Sequence, residues 1–578
     1  MRAPVNMRDR RYTNLSTSST FSTDSDVSGG SRASLNEKRV FSPSPTGSPL
    51  LDSETKEHPI RPARRTSTLL LFLTIIAVLA LKFVLVSYLL RLLGISFSTP
   101  HSWSLGTPFA GDRDLLDQPS AVKVLDGLGQ PKWTVHIPHD YSFPLQSQHA
   151  QQICRQSETL RDELSMRSRM MPVKDWRRKG GYYVSDATYL DVDAAEELSG
   201  QPRFNSESDE NVCESSLTFA LDTQDTSFGK SLLMLWLSYG LAKKEGRAFF
   251  IDDTRWLYGR YTSFFLPLPS TNCTPPPPRQ IVPCPHNAKH LLVSSATIPW
   301  TFGAVFEREY LQSWKSGLEK SRQVYGLLRT GYEDLFHLTD EHATFAALRT
   351  AALKGDAEKQ DASTIGVHLR RGDLHPFEYQ FSQDYLPLER YGAAARKLRA
   401  HCDSAQDASP ALPFLLASDD PDIFESAELQ QSAHPFAVQK TQERIQLASK
   451  ATLDLSAPTE DIIQPNSGYT KHVDENSGWE GGFYSALFYS IGGGNRASSS
   501  SVADDTLFSA PAMQMRELVG RAYLLDLAVL GTASDGIVCA SSSATCRVLG
   551  VMMGWDAVAQ GRWVNVDDNR AWSWDGRR

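Results

Sequence analysis

The apolar and polar positions of the chain change character several times. Residues 1–60 are rich in Ser, Thr and Pro with almost no aromatics, as in SPSPTGSP at 42–49. Such a segment buries too little apolar surface to offset its ordering entropy, so disorder is expected. The pattern then inverts. Leu69 to Leu90, LLLFLTIIAVLALKFVLVSYLL, holds 22 residues and a single charge, Lys82, about enough to cross a bilayer core of roughly 30 Å. Residues 96–150 lose periodicity and read as a stem. From about 151 the pattern is globular. SLTFALD (216–222), a polar loop, SLLMLWLSYGLAKK and RAFFID (247–252) read as strand, loop, helix and strand, half of a nucleotide-fold repeat. A second α/β region opens with the buried strand Ile365 to Leu369 and a helix over Tyr385–His401. The strand PFLLA at 413–417 and a helix from about Asp422 follow. Helical spacing returns over Met515–Leu530, then GIVCA (536–540) reads as a strand and Thr545–Trp555 as a helix.

These shifts divide the chain into a tail (1–65), an anchor (66–93), a stem (94–150), an N-terminal α/β domain (151–360) and a C-terminal nucleotide-fold domain (361–578). At 578 residues it is too long for one core. Arg61, Arg64 and Arg65 precede the apolar span and only Arg91 closely follows it. The positive-inside rule then leaves the tail cytosolic and the body lumenal, a single-pass type II arrangement. Residues 1–65 hold 11 Lys and Arg against 7 Asp and Glu, leaving 48 and 60 for the rest. A net charge of −8 argues against a nucleic-acid partner. Seven cysteines fit a secretory-pathway enzyme with a few bridges and one thiol left over, for which Cys402 is the candidate. Cys273 and Cys284, flanking a run of four prolines, are expected to close a loop. Asn272-Cys273-Thr274 forms a lumenal sequon, weakened by the proline after it. No Cys/His cluster has zinc spacing.

The candidate chemistry sits at strand ends. Arg370 and Arg371 end the Ile365 strand, Asp419 and Asp420 end the Pro413 strand, and Ser541–Ser543 end the Gly536 strand. In an open α/β sheet, such ends line one crevice. Arginine forks grip diphosphates, and free N–H groups and hydroxyls at a helix start can hold phosphate oxygens. Each piece also has a plainer role: the serines can cap a helix and Asp420-Pro421 can start one. Gly229 opens a helix and can lie against a ligand, yet GKS at 229–231 is no P-loop, because Gln224 stands where that motif needs glycine. Asp191-Val192-Asp193 has the form of a metal-binding DxD, but precedes the first clear α/β unit. The aromatic run WLYGRYTSFF at 256–265 reads as core packing. Together these pieces fit a nucleotide diphosphate in a two-domain GT-B glycosyltransferase behind a Golgi-type anchor.

IGVHLRRGD, LASDDP and DGIVCASSSATCR, in that order, resemble the α1,6-fucosyltransferases, both the core N-glycan and the nodulation-factor enzymes, over roughly 210–555. The resemblance implies an inverting, metal-independent transferase using GDP-fucose and a glycan or glycoprotein acceptor. It implies that Arg370 binds the donor diphosphate, His368 and Asp526 contact guanine, Ser543 (beside Ser542) binds phosphate, and Glu378 is the general base. It also implies a Cys539–Cys546 disulfide. His375 is a second candidate base. Leu374 replaces the family's lysine, residues near 491–501 look like extra length, and too few residues follow the last motif for the core enzymes' SH3 domain. Rival readings keep the fold but change the sugar or the acceptor to a protein hydroxyl, or retain the crevice in a non-catalytic scaffold.

Overall fold

The computed structural model describes residues 117–168, 186–198, 211–222, 227–359, 362–371, 385–403, 413–446, 510–567 and 571–576. All lie within one compact unit, Trp103–Arg578. The expected tail and the Leu69–Leu90 anchor lie outside the described residues. Among the described residues no helix is long and apolar enough to cross a membrane.

Two parallel sheets organise this unit. The first holds β3 (Ser216–Ala220), β4 (Ala248–Asp252) and β5 (His290–Ser294) in the order β4-β3-β5. Its crossover helix α3 (Phe228–Glu245) is buried without a break from Ser231 to Ser238, and it stops at Gly246, whose φ of 70° is left-handed. Helix α4 (Arg322–Leu335) packs so closely on α3 that a Cβ on Gly240 would lie 2.1 Å from the Leu327 carbonyl oxygen. The second sheet holds β6 (Ile365–Leu369), β7 (Pro413–Ser418), β8 (Ala437–Lys440), β9 (Gly536–Cys539) and β10 (Trp563–Asn565), in the order β10-β9-β6-β7-β8.

The pleat of the second sheet sorts its side chains. Ile365, Val367, Leu369, Phe414, Leu416, Val538 and Ala540 share one core with α6 (Leu388–Cys402) and α7 (Ala427–Ala433). Leu415, Ala417, Ile537 and Cys539 face the other way, toward α8 (Ala510–Ala533) and α9 (Ala544–Met553). That second core continues unbroken into the first sheet through Leu217, Phe219, Leu291 and Val293. The C-terminal residues Trp572 and Trp574 belong to it too. The Trp572 ring lies 4.9 Å from Tyr325 on α4, and its Nε1 donates to the Arg547 carbonyl at 2.9 Å. The aromatic run at 256–265 is core, as expected: Trp256, Tyr258, Phe264 and Phe265 are buried.

Two expectations change. The stem does not reach residue 150, because β1 (Ser120–Leu125) and β2 (Pro131–His136) form an antiparallel hairpin. Trp133, Val135, Leu145 and Ala150 join a core with Ile153, Val282 and Leu292. Cys273 and Cys284 do not pair with each other. The contact between α1 (Ser147–Ser168) and the Val282 segment joins Cys154 to Cys284, and a β-bridge between Val212 and Thr274 brings Cys213 to Cys273. Cys539–Cys546 is a bridge, and Cys402 carries the free thiol.

Candidate functional site

From β6 the chain builds outward through α6, β7, α7 and β8, then returns along α8 and enters β9 on the opposite side of β6. The order therefore reverses between β6 and β9, and a crevice opens at their carboxyl ends. Arg370 leaves β6 there with 3% of its surface exposed, and Ser541–Ser543 leave β9.

Alternation along β6 places Gly366, His368 and Arg370 on the α8 side. That side is tight: a Cβ on Gly366 would lie 2.3 Å from Ser534 Oγ. His368 sits beside Ala417 in register and is only 4% exposed. On α8, Asp526 accepts hydrogen bonds from Thr441 and Gln442, which directly follow β8. Burial pushes its carboxyl up to about 7, while those two hydrogen bonds pull it down. Such a group gains by accepting N–H donors from a ligand, which favour its charged form. Arg371 goes the opposite way. Its guanidinium meets Glu428 on α7 at 3.4 Å and lies 5.3 Å from the Tyr385 ring, and its backbone N–H donates to Asp419 at 2.6 Å. Asp420 accepts from the Asp422 N–H at 3.1 Å and caps the short turn Pro421–Glu425. Asp419 thus steadies the exit of β6, and Asp420 plays the helix-starting role open to it.

The serine loop differs from the expectation of free backbone donors. Ser541 N–H donates to Asn565 Oδ1 at 2.8 Å, Ser542 N–H to Asp567 Oδ2 at 2.9 Å, and Ser543 N–H to the Ala540 carbonyl at 3.0 Å. Arg547 donates back to the Ser541 carbonyl at 3.1 Å. Those amides are used by the fold. The hydroxyl of Ser543 is not used as a cap: it stands at the N-cap of α9 without a capping hydrogen bond. The bridge Cys539–Cys546 closes the loop at its base. Asn565 and Asp567 are not legible in the sequence, because Asn565 ends and Asp567 follows a strand, β10, of only three residues.

Gly229 lies in the first turn of α3, buried and next to Phe228. The Phe228 ring is 5.4 Å from Tyr523 on α8, whose hydroxyl is 3.0 Å from Thr545 Oγ1 in the first turn of α9. The helix starts of the two sheets thus meet around Tyr523. The Asp191-Val192-Asp193 motif is elsewhere. Asp191 accepts the Lys289 N–H at 2.8 Å and Asp193 pairs with Lys289 Nζ at 2.7 Å, at the amino end of β5. Burial raises the Asp191 carboxyl. Glu378, His375 and Leu374 lie outside the described residues.

No protein-family model and no curated protein matches the chain. Among solved structures, it is similar to NodZ α1,6-fucosyltransferase co-crystallised with GDP, at 14% identity and a TM-score of 0.27, over 58% of this chain and 92% of that one. It is also similar to fucosyltransferase NodZ from Bradyrhizobium, at 17% identity and a TM-score of 0.23, over 40% of this chain and 79% of that one.

Proposed function

We propose that the chain is a glycosyltransferase of the two-domain GT-B type that moves fucose from GDP-fucose to a hydroxyl of a glycan, without a metal and with inversion. The observation that carries this reading is that buried His368 and Arg370 end β6 and Ser543 follows β9, the two strands that flank the switch point. Those residues fall at the positions that the motif resemblance assigns to diphosphate, guanine and phosphate.

In this reading His368 and Asp526 receive the base, and Arg370 stabilises the charge that grows on the departing diphosphate. The Ser543 hydroxyl adds a donor there. Glu378, eight residues beyond Arg370 in the chain, takes the acceptor proton as the sugar is attacked from the face opposite the leaving group. We also propose that Leu69–Leu90 anchors the protein in the Golgi membrane with its body in the lumen, where a glycoprotein acceptor would be met.

Titration calorimetry of the purified chain with GDP in EDTA tests the donor assignment, and absence of heat with GDP would remove it. Replacing Glu378 with Gln should lower transfer by roughly 100-fold or more while GDP affinity stays within a factor of about 2. Unchanged turnover in that variant would eliminate Glu378 as the base. GDP binding with no transfer to any glycan would mark a binding protein instead of an enzyme.

A further inference from the structure

The loop carrying Asn272 lies outside the crevice and holds two chemistries at once. Asn272-Cys273-Thr274 has the pattern of an N-glycosylation acceptor, and Asn272 and Thr274 are both exposed. The middle residue of that motif is tied into the Cys213–Cys273 bridge. The rest is stitched to the same upstream segment. Asn211 Nδ2 donates to the Asn272 carbonyl at 2.6 Å. The Thr274 N–H donates to the Asn211 carbonyl at 2.9 Å, and the Thr274 hydroxyl donates to it at 3.3 Å. The Cys213 N–H returns a bond to the Thr274 carbonyl at 3.1 Å. An acceptor motif must present its asparagine amide and its threonine hydroxyl together on a pliable strand. In the folded chain the hydroxyl is engaged and the strand is pinned.

We propose that Asn272 is an N-glycosylation site whose occupancy is decided by a race against closure of the Cys213–Cys273 bridge. In the first reaction, Asn272 Nδ2 attacks the anomeric carbon of a lipid-diphosphate-linked oligosaccharide. A C–N bond forms, the C–O bond to the diphosphate breaks, the lipid diphosphate leaves, and a base on the transferring enzyme takes the amide proton. In the second, the two thiols lose two protons and two electrons to a disulfide oxidant, which is reduced to its dithiol. Three bridges among the described residues fit an oxidising compartment, where both reactions run. Cys213 precedes Cys273 by 60 residues, so it is already synthesised when Cys273 appears and the bridge can close early. Pro275, directly after Thr274, slows the competing sugar transfer.

The full chain would be expressed in a glycosylating eukaryotic host, and occupancy at Asn272 read by mass spectrometry after enzymatic deglycosylation in heavy-oxygen water. Wild type, Cys213→Ser and Cys273→Ser would be compared on total protein, so misfolding of a variant does not hide the result. The expected outcome is partial occupancy in wild type, rising at least about two-fold in both variants, which keep an acceptor motif but lose the bridge. Full occupancy in wild type, equal occupancy in all three chains, or no glycan in any of them would overturn the proposal.

Discussion

The two sheets reverse their strand order in the same way, and yet their crevices are not equivalent. In the first sheet the reversal lies between β3 and β5, in the second between β6 and β9. At the first, Asp222 follows β3 and accepts the hydroxyl of Ser147 at the start of α1, while its carbonyl accepts from Ser295 Oγ at 2.9 Å. Ser294 N–H donates to Thr297 Oγ1 at 2.9 Å. Neither β3 nor β5 is followed by a basic residue within five positions. Among the described residues, the polar groups named at that edge bond to one another. At the second, Arg370 and His368 are buried at the end of β6, and on α8 an aspartate with a raised carboxyl, Asp526, is held by Thr441 and Gln442 after β8. Topology therefore supplies two switch points, and the residues after the strands set them apart: a buried arginine follows one and not the other.

Replacing Arg370 with Ala removes the buried cation directly following β6, and GDP affinity should fall by roughly 30-fold to 100-fold, the effect of one charged hydrogen-bonding group. Asp222→Asn should leave GDP affinity within a factor of about 2 and lower the melting temperature instead. If the two variants lose GDP equally in calorimetry, the distinction between the crevices fails.

Gly240→Ala tests the packing behind the first edge. The added methyl would meet backbone, which cannot swing away, so the variant should lose about 1–3 kcal/mol in urea unfolding. Its GDP affinity, measured where it is folded, should not change.

A smaller effect concerns pH. Burial holds the Asp526 carboxyl at about 7, above the roughly 3.9 of an unfolded chain. The folded state therefore binds the extra proton between those values. The contribution of this group to stability without ligand is fully present below about pH 4 and is lost as pH rises toward 7, with a slope of at most about 1.4 kcal/mol per pH unit. Asp526→Asn should flatten that slope in unfolding measurements. GDP affinity should change in the opposite sense, increasing from pH 6 to 7.5 as the carboxylate forms.

How much of the fold is legible in the sequence depends on the kind of signal. The strand Ile365–Leu369 can be read to the residue, because Ile365, Val367 and Leu369 alternate on one side of a short segment that ends in charge, a pattern that fits a buried strand. β8 and β10 leave no such mark. β8 is the four-residue, half-polar AVQK, and β10 has only three residues. Edge strands of that length carry too few side chains to display a period. The bridges joining Cys154 to Cys284 and Cys213 to Cys273 are unreadable for a different reason. Spacing along the chain does not say which segments pack side by side, and several pairings of the cysteines fit the same spacing.

By itself the order of residues determined the α/β class and the strand ends that bear Arg370, Asp419 and Ser543. These are local properties, written in runs of a few residues. Only the tertiary structure decided that Asp420 caps a turn, that Arg371 turns away toward Glu428, and that Asn565 and Asp567 hold the serine loop. It also set the Asp191-Val192-Asp193 motif at the amino end of β5. Each of these depends on which side of a strand a residue occupies and what lies opposite it. Pleat and register fix the first, and long-range packing fixes the second.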